Sequence, residues 1–95
     1  WYFLLKVNMS FFVYMLKSKT LKPVTYVGYT NNLKNRIKLH NNGKGAKFTR
    51  GRQWVLIYKE KFKSKKEAIS REYYIKNNRS LRNKIKNENS NSTSI

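Results

Sequence analysis

The sequence predicts a small α/β domain of the α+β type, in which a three-stranded, antiparallel-type sheet is flanked by helices in the order β-β-α-β-α-α. Three observations support this fold class. Short runs of aromatic and β-branched residues are bounded by turn residues, as is typical of strands. Stretches with helically spaced apolar residues follow capping residues. The chain has 95 residues, of which 39% are hydrophobic, and this suffices for one modest core.

The first two strands are predicted to form a hairpin. Residues 11–16, FFVYML, have the length and composition of a strand and end in a polar run. Residues 24–29, VTYVGY, follow Pro23, which cannot donate a ladder hydrogen bond and therefore suits the start of a strand. Tyr14 and Tyr26 would then be neighbours across the hairpin.

A helix and a third strand follow the hairpin. Thr30, Asn31 and Asn32 offer helix caps, and apolar residues keep helical spacing until Asn42-Gly43, a usual C-terminal stop. Residues 43–52 then form a loop that interleaves three glycines with four cations. Residues 54–58, WVLIY, are apolar almost throughout, which predicts a central strand that is covered on both faces.

Two further helices are predicted in the C-terminal part of the chain. Residues 64–67, SKKE, match a capping box, in which serine and glutamate side chains satisfy backbone donors of the first turn. That helix should continue to about Lys76. A short third helix should begin near Ser80, because Leu81 and Ile85 lie one helical turn apart.

The same pattern predicts the domain organisation. We expect an N-terminal extension over residues 1–10, one domain over residues 11–86 and a disordered polar tail over residues 87–95. The apolar run at the start is broken by Lys6 and Asn8 and is shorter than the roughly 20 residues that a bilayer requires, so we expect no membrane association. The chain lacks cysteine, which excludes disulfides, and a cytoplasmic location is expected.

The charge of the chain indicates a polyanionic partner. There are 22 lysines and arginines against 4 glutamates and no aspartate, which gives a formal net charge of +18. A domain this small repels itself unless an anion binds, so nucleic acid is the first partner to test. A solvated charged surface is the simpler alternative. Six cations of the first helix and the following loop are expected to contact phosphates without base selectivity: Lys34, Lys38, Lys44, Lys47, Arg50 and Arg52.

Two side chains of the first helix are candidates for a shared ligand. Arg36 and His40 are four residues apart and therefore lie on one face, one turn from each other. Taken singly, each is more simply an exposed surface side chain. Their position directly after Tyr26 and Gly28 favours a site.

Glu72 is an acidic residue on the predicted inward stripe of the second helix, alongside Ala68, Ile69, Ile75 and Lys76. An unpaired buried carboxylate is costly, so Glu72 should have a cation or a metal ion as partner. The other three glutamates have simpler roles, and a cage for two metal ions about 4 Å apart therefore cannot be assembled. One hydrated Mg²⁺ or Mn²⁺ could be held through a single carboxylate, with waters and substrate oxygens as further ligands.

The order of these motifs resembles the GIY-YIG nuclease superfamily, above all its small stand-alone bacterial members. The resemblance covers about residues 11–78 and consists of Phe12-Val13-Tyr14, Tyr26-Val27-Gly28, Arg36, His40 and Glu72. The hairpin and loop are also similar to the catalytic domain of structure-specific flap and junction endonucleases. Phenylalanine replaces the glycine of the first motif, and valine replaces the isoleucine of the second.

The resemblance implies a role for each of five residues. Tyr14 would accept a proton from the attacking water, with Tyr26 beside it, and Arg36 would bind the scissile phosphate. His40 would assist proton transfer or orient the nucleophile, and Glu72 would hold the metal ion. A free phenol has a pKa of about 10, so a tyrosine base needs a lowered pKa, and the net positive charge should act in that direction.

The function implied is a metal-dependent DNA endonuclease, with branched or flapped DNA in repair or recombination as its expected substrate. A non-catalytic, basic nucleic-acid-binding protein that keeps the fold is the alternative. A basic ribosome-associated protein would explain the charge but not the ordered motifs.

Overall fold

The computed structural model describes the backbone of residues 10–93 and the side chains of residues 10–88. The predicted extension therefore lies outside the described residues, apart from Ser10. The fold class and the predicted order of elements are confirmed. The elements are β1 (Phe11–Ser18), β2 (Thr25–Thr30), α1 (Leu33–Asn41), a 3₁₀ turn (Lys47–Thr49), β3 (Trp54–Phe62), α2 (Lys65–Lys76) and α3 (Arg79–Thr93).

The three strands form one antiparallel sheet in the order β2-β1-β3. The central strand is therefore β1, and the prediction of a central third strand is wrong. In β1 the four residues from Val13 to Leu16 are all buried, because both faces of that strand are covered. In β3, Trp54 is buried but Val55 is exposed, and residues 56–58 are only partly covered. An apolar run alone does not distinguish an edge strand with partial cover from a central one.

Helices cover the two faces of the sheet separately. On one face, Val13, Met15 and Val27 pack with Ala68 and Ile75 of α2, and Ile85 of α3 joins the same core. On the other face, the cluster around Tyr14 is packed against Leu33 and Ile37 of α1, and its remaining members are Leu16, Val24, Tyr26, Trp54 and Leu56. Since successive residues of a strand point to opposite faces, Tyr14 and Tyr26 both face α1.

Side-chain caps define where the helices begin. The Asn32 side chain accepts a hydrogen bond from the backbone N–H of Asn35 at the start of α1. At the start of α2, the hydroxyl of Ser64 accepts from the backbone N–H of Glu67 and donates to its carboxylate. The helix starts predicted from these polar residues are thus observed.

The C-terminal helix is longer than predicted. It runs to Thr93, so residues 87–93 are helical and the expected disorder of this segment is corrected; residues 94–95 lie outside the described residues. Ile85 is buried, and the ammonium group of Lys86 donates to the Pro23 carbonyl at 3.0 Å, so packing fixes the middle of the helix. Extending a helix that is already fixed costs little, and asparagine or serine lowers its stability by well under about 1 kcal/mol each.

Within the described part of the chain, no helix has the length and apolarity that crossing a membrane requires.

Candidate active site

Tyr14 and Tyr26 lie beside each other on the hairpin. The register pairs Tyr14 with Gly28 and Leu16 with Tyr26, so the two tyrosines are diagonal neighbours on one face. Their ring centroids are 6.4 Å apart. A Cβ atom on Gly28 would lie 2.6 Å from the Tyr14 hydroxyl oxygen, so glycine is required for the phenol to lie across the neighbouring strand.

His40 is buried against these tyrosines. It lies in the last turn of α1 and has no exposed surface. Its Nε2 atom is 2.7 Å from the Tyr14 hydroxyl oxygen, and its ring centroid is 5.0 Å from that of Tyr26. The simpler interpretation of a solvent-exposed imidazole is therefore wrong.

Thr49 contacts the other nitrogen of the imidazole. Its Oγ1 atom is 2.9 Å from His40 Nδ1. The same hydroxyl donates its only hydrogen to the Ala46 carbonyl at 2.8 Å, so we assign it as the acceptor of a hydrogen bond from His40 Nδ1–H. Nε2 then carries the lone pair and accepts from the Tyr14 hydroxyl. We refer to this set of directed hydrogen bonds, from Tyr14 through His40 and Thr49 to the Ala46 carbonyl, as the Tyr14–His40–Thr49 chain.

Neighbouring elements hold this chain in place. The Trp54 indole donates to the Thr49 carbonyl at 3.0 Å, which ties the 3₁₀ turn to β3. The Asn41 side chain accepts from the backbone N–H of Trp54 at 2.6 Å, which ties the end of α1 to the same strand. A side chain on Gly45 would collide with the His40 ring, so the loop closes over the imidazole only with glycine there.

The protonation states follow from burial. Burial raises the pKa of Tyr14 to about 12, with smaller increases from Tyr26 and Glu72, while Arg36 acts in the opposite direction. Burial, and secondly the charge of Arg36, lowers the pKa of His40. At neutral pH the phenol is therefore protonated and the imidazole neutral. The charge of Arg36 lowers the pKa of Tyr14, as expected, but desolvation is the larger effect, so the expectation of a lowered pKa for this phenol is wrong.

Arg36 lies close enough to the Tyr14 phenol and the His40 imidazole to affect the pKa of each. Among the described residues, its guanidinium is not paired with a carboxylate. Two glutamates are paired elsewhere: Glu60 with Arg71 and Glu72 with Lys76. The Nε atom of Arg36 is buried and has no hydrogen-bond partner among the described residues. An unpaired buried donor typically costs about 1–3 kcal/mol. An anionic oxygen acceptor at the guanidinium would remove this cost.

Glu72 faces the protein, as predicted. Its side chain is 17% exposed, and its nearest charged partner is the Lys76 ammonium group at 3.6 Å. Of the other residues of the predicted stripe, Ala68 and Ile75 are fully buried, whereas Ile69 and Lys76 are exposed and were wrongly placed on it. The carboxylate raises the pKa of Tyr14, so it acts electrostatically on the hairpin phenol. No group of three or more potential metal-ligating side chains exists among the described residues, so Glu72 would have to bind a metal ion without a protein cage.

The six predicted phosphate-contacting cations lie on α1 and on the loop that follows it. Arg52 is partly buried, with its guanidinium carbon 5.3 Å from the centroid of the Phe48 ring. The other five are exposed: Lys34, Lys38, Lys44, Lys47 and Arg50.

Three residues near His40 were not predicted as part of a site: Thr49, Gly45 and Phe48. All three belong to the loop that was predicted only as a source of cations. Its interleaved glycines were the available signal, because they permit a close approach to another side chain. The partner could not be identified, since the path of a loop depends on the tertiary fold.

The order of the elements and of the sequence motifs is that of a nuclease-type catalytic domain. The family model of the GIY-YIG catalytic domain matches residues 10–87, and the chain belongs to the GIY-YIG family. The resemblance noted from the sequence motifs is thereby confirmed.

The chain is also similar to several bacterial proteins that are named UPF0213. The chain is similar to UPF0213 protein CPE1444 of Clostridium perfringens, with 61% identity over 66 residues, which cover 68% of this chain and 69% of that protein. UPF0213 protein YazA of Bacillus subtilis is 48% identical over 73 residues, or 76% of this chain and 71% of that protein. The solution NMR structure of UPF0213 protein BH0048 from Bacillus halodurans is 40% identical in sequence. The match covers 81% of this chain and 82% of that chain, with a TM-score of 0.49.

Proposed function

We propose that this domain is a metal-dependent endonuclease that hydrolyses phosphodiester bonds in DNA. Membership of the GIY-YIG family supports a nuclease. The observation that carries the proposal is the Tyr14–His40–Thr49 chain, which aims the phenol proton at an unprotonated imidazole nitrogen beside an arginine without a carboxylate partner.

The proposed role of the chain is general-base catalysis. As water attacks phosphorus, its proton passes to the Tyr14 oxygen while the proton of Tyr14 passes to His40 Nε2. A free phenolate with a pKa of about 12 would be rare at neutral pH, and this paired transfer avoids forming one. His40 becomes an imidazolium whose Nδ1–H remains bonded to Thr49. The P–O3′ bond breaks, the 3′ oxygen takes up a proton from solvent, and His40 returns its proton to the Tyr14 oxygen, which releases the proton of the attacking water to solvent.

Arg36 is proposed to bind the phosphate that is cleaved. Its planar guanidinium matches two phosphate oxygens and would stabilise the negative charge that increases in the pentacovalent transition state. The same negative charge would lie beside the imidazolium. It would therefore offset the repulsion by which the charge of Arg36 lowers the pKa of His40 in the free protein.

Glu72 is proposed to hold one divalent cation, Mg²⁺ or Mn²⁺. The carboxylate fits such an ion because its ion pair among the described residues is a long one, to a lysine at 3.6 Å, and a hard cation prefers carboxylate oxygen, waters and phosphate oxygens. When bound, the ion would supply charge stabilisation at the departing 3′ oxygen.

The exposed cations of α1 and the loop are proposed to bind flanking phosphates. Because such contacts release counterions, affinity for DNA should fall steeply as the salt concentration rises. Selectivity for branched or flapped DNA, a role in repair or recombination and a cytoplasmic location are the finer parts of the proposal, and they rest on the resemblance and the composition.

The test is a cleavage assay with purified protein at low salt. Labelled single-stranded, duplex, flapped and branched DNA would be incubated with Mg²⁺, Mn²⁺ or EDTA. We expect cleavage only with a metal ion, and products that end in 5′-phosphate and 3′-hydroxyl groups. Binding without cleavage on every substrate would contradict the enzyme and favour the non-catalytic nucleic-acid-binding protein.

A further inference from the structure

Phe48 is an apolar side chain that the fold leaves in solvent beside the site. It lies in the 3₁₀ turn Lys47–Thr49 and is 50% exposed, whereas the next residue, Thr49, is fully buried. The turn that directs Thr49 inward to His40 therefore directs Phe48 outward. Because half of its surface is in contact with solvent, Phe48 contributes little to the core and is free to contact a ligand.

The Phe48 ring extends a cluster of aromatic rings that begins at Tyr14 and His40. It lies against Tyr26 with a centroid distance of 6.2 Å and an interplanar angle of 20°. Tyr26 in turn lies 5.0 Å from the His40 ring. One residue, Tyr26, thus contacts both the Tyr14–His40–Thr49 chain and the exposed phenylalanine.

The surroundings of Phe48 are cationic. The guanidinium of Arg52 lies over the ring at 5.3 Å and donates to the Phe48 carbonyl at 3.2 Å. Lys47 and Arg50 are exposed on either side of it in the chain. The sequence between Gly43 and Trp54 contains no acidic residue. An aromatic ring paired with arginine and flanked by cations suits a nucleobase whose phosphates lie nearby.

We propose that Phe48, together with Arg52, forms a stacking subsite for an unpaired nucleobase of the bound strand, next to the phosphate at the active site. The inference rests on the proposed function and adds a contact with the base to it. A base inside a duplex is stacked on both sides and must leave the stack before it can lie on Phe48. The subsite therefore favours a strand whose base next to the reacting phosphate is already unpaired.

The test measures binding in EDTA, so that no cleavage occurs, with Phe48→Ala as the variant. Two strands of equal length are compared: oligodeoxythymidylate and an abasic deoxyribose-phosphate strand. We expect Phe48→Ala to bind oligodeoxythymidylate about 5- to 150-fold more weakly than wild type, the usual range for loss of one base–aromatic stack. Binding of the abasic strand should be unchanged, since it offers phosphates without bases.

Two further variants separate stacking from structural effects. Phe48→Tyr keeps a stacking ring and should bind both strands like wild type. Tyr73→Ala removes another exposed aromatic ring, which is 69% exposed on α2, and should change neither affinity. The inference is overturned if Phe48→Ala binds oligodeoxythymidylate normally, or if it loses the same factor on both strands. A failed cleavage assay would count against the proposed enzyme, whereas these binding results bear on the subsite alone.

Discussion

Replacing Tyr14 by phenylalanine should reduce the rate of DNA cleavage by about 10²- to 10⁴-fold, the usual contribution of a general base. The substitution removes the oxygen that receives the proton of water and the donor that faces His40 Nε2. It leaves the arginine and the exposed cations in place, so DNA affinity in EDTA should change little. Cleavage rate under single-turnover conditions and affinity in EDTA are the two measurements.

The loss should be kinetic rather than a result of unfolding. Tyr14→Phe leaves a buried imidazole nitrogen without its donor, which costs about 1–3 kcal/mol of stability, and a thermal melt would measure this. Tyr58→Phe is the matched control, because Tyr58 packs on the opposite face and its phenol interacts with Glu60 and Arg71. Wild-type cleavage by Tyr14→Phe, or an equal loss in Tyr58→Phe, would contradict the assignment of Tyr14 as the base.

Glu72→Gln should reduce cleavage by at least about 100-fold at low concentrations of Mg²⁺ or Mn²⁺, since charge stabilisation by a metal ion is worth several kcal/mol. Glutamine keeps the shape of the side chain but loses the charge that would hold the ion. Higher metal concentration should restore part of the rate, because weakened binding is overcome by mass action. The measurement is the cleavage rate as a function of metal concentration.

The structure offers a matched control for Glu72. Glu60→Gln removes a carboxylate that is also partly exposed and is paired with Arg71 at 2.8 Å. Its dependence on metal concentration should be that of wild type. If Glu72→Gln has the wild-type rate at every metal concentration, Glu72 serves only in its ion pair with Lys76, and the proposed metal site is removed.

The fold was predictable to the level of element order but not of sheet order. Strand and helix boundaries follow from local signals such as Pro23, Asn32 and Ser64, which act within a few residues. The position of β3 at the sheet edge depends on which strand pairs with β1, and a local apolar run contains no information about that pairing. The length of α3 was missed for the same reason, because Lys86 is fixed by the distant Pro23.

The sequence predicted which side chains would lie near each other, but not the hydrogen bonds between them or their protonation states. The helical spacing of Arg36 and His40 predicts a shared face, and the inward stripe predicts that Glu72 is covered. The buried state of His40 depends on closure of the loop by Gly45 and Thr49, which are nine or fewer residues away in sequence but have no helical or strand period. The pKa of Tyr14 depends on that burial, which outweighs the net charge.

The central claim is that a neutral His40, protonated at Nδ1, accepts the proton of Tyr14 at Nε2. The chain contains one histidine, so a ¹⁵N-labelled sample gives one pair of ring-nitrogen signals. At pH 7 NMR should find the proton on Nδ1, and Tyr14→Phe should shift the Nε2 signal by removing its donor. Because burial and Arg36 lower the pKa of His40, the ring should become protonated only below the ordinary value of about 6.5. A proton on Nε2 at pH 7, or a midpoint above 6.5, would contradict the account.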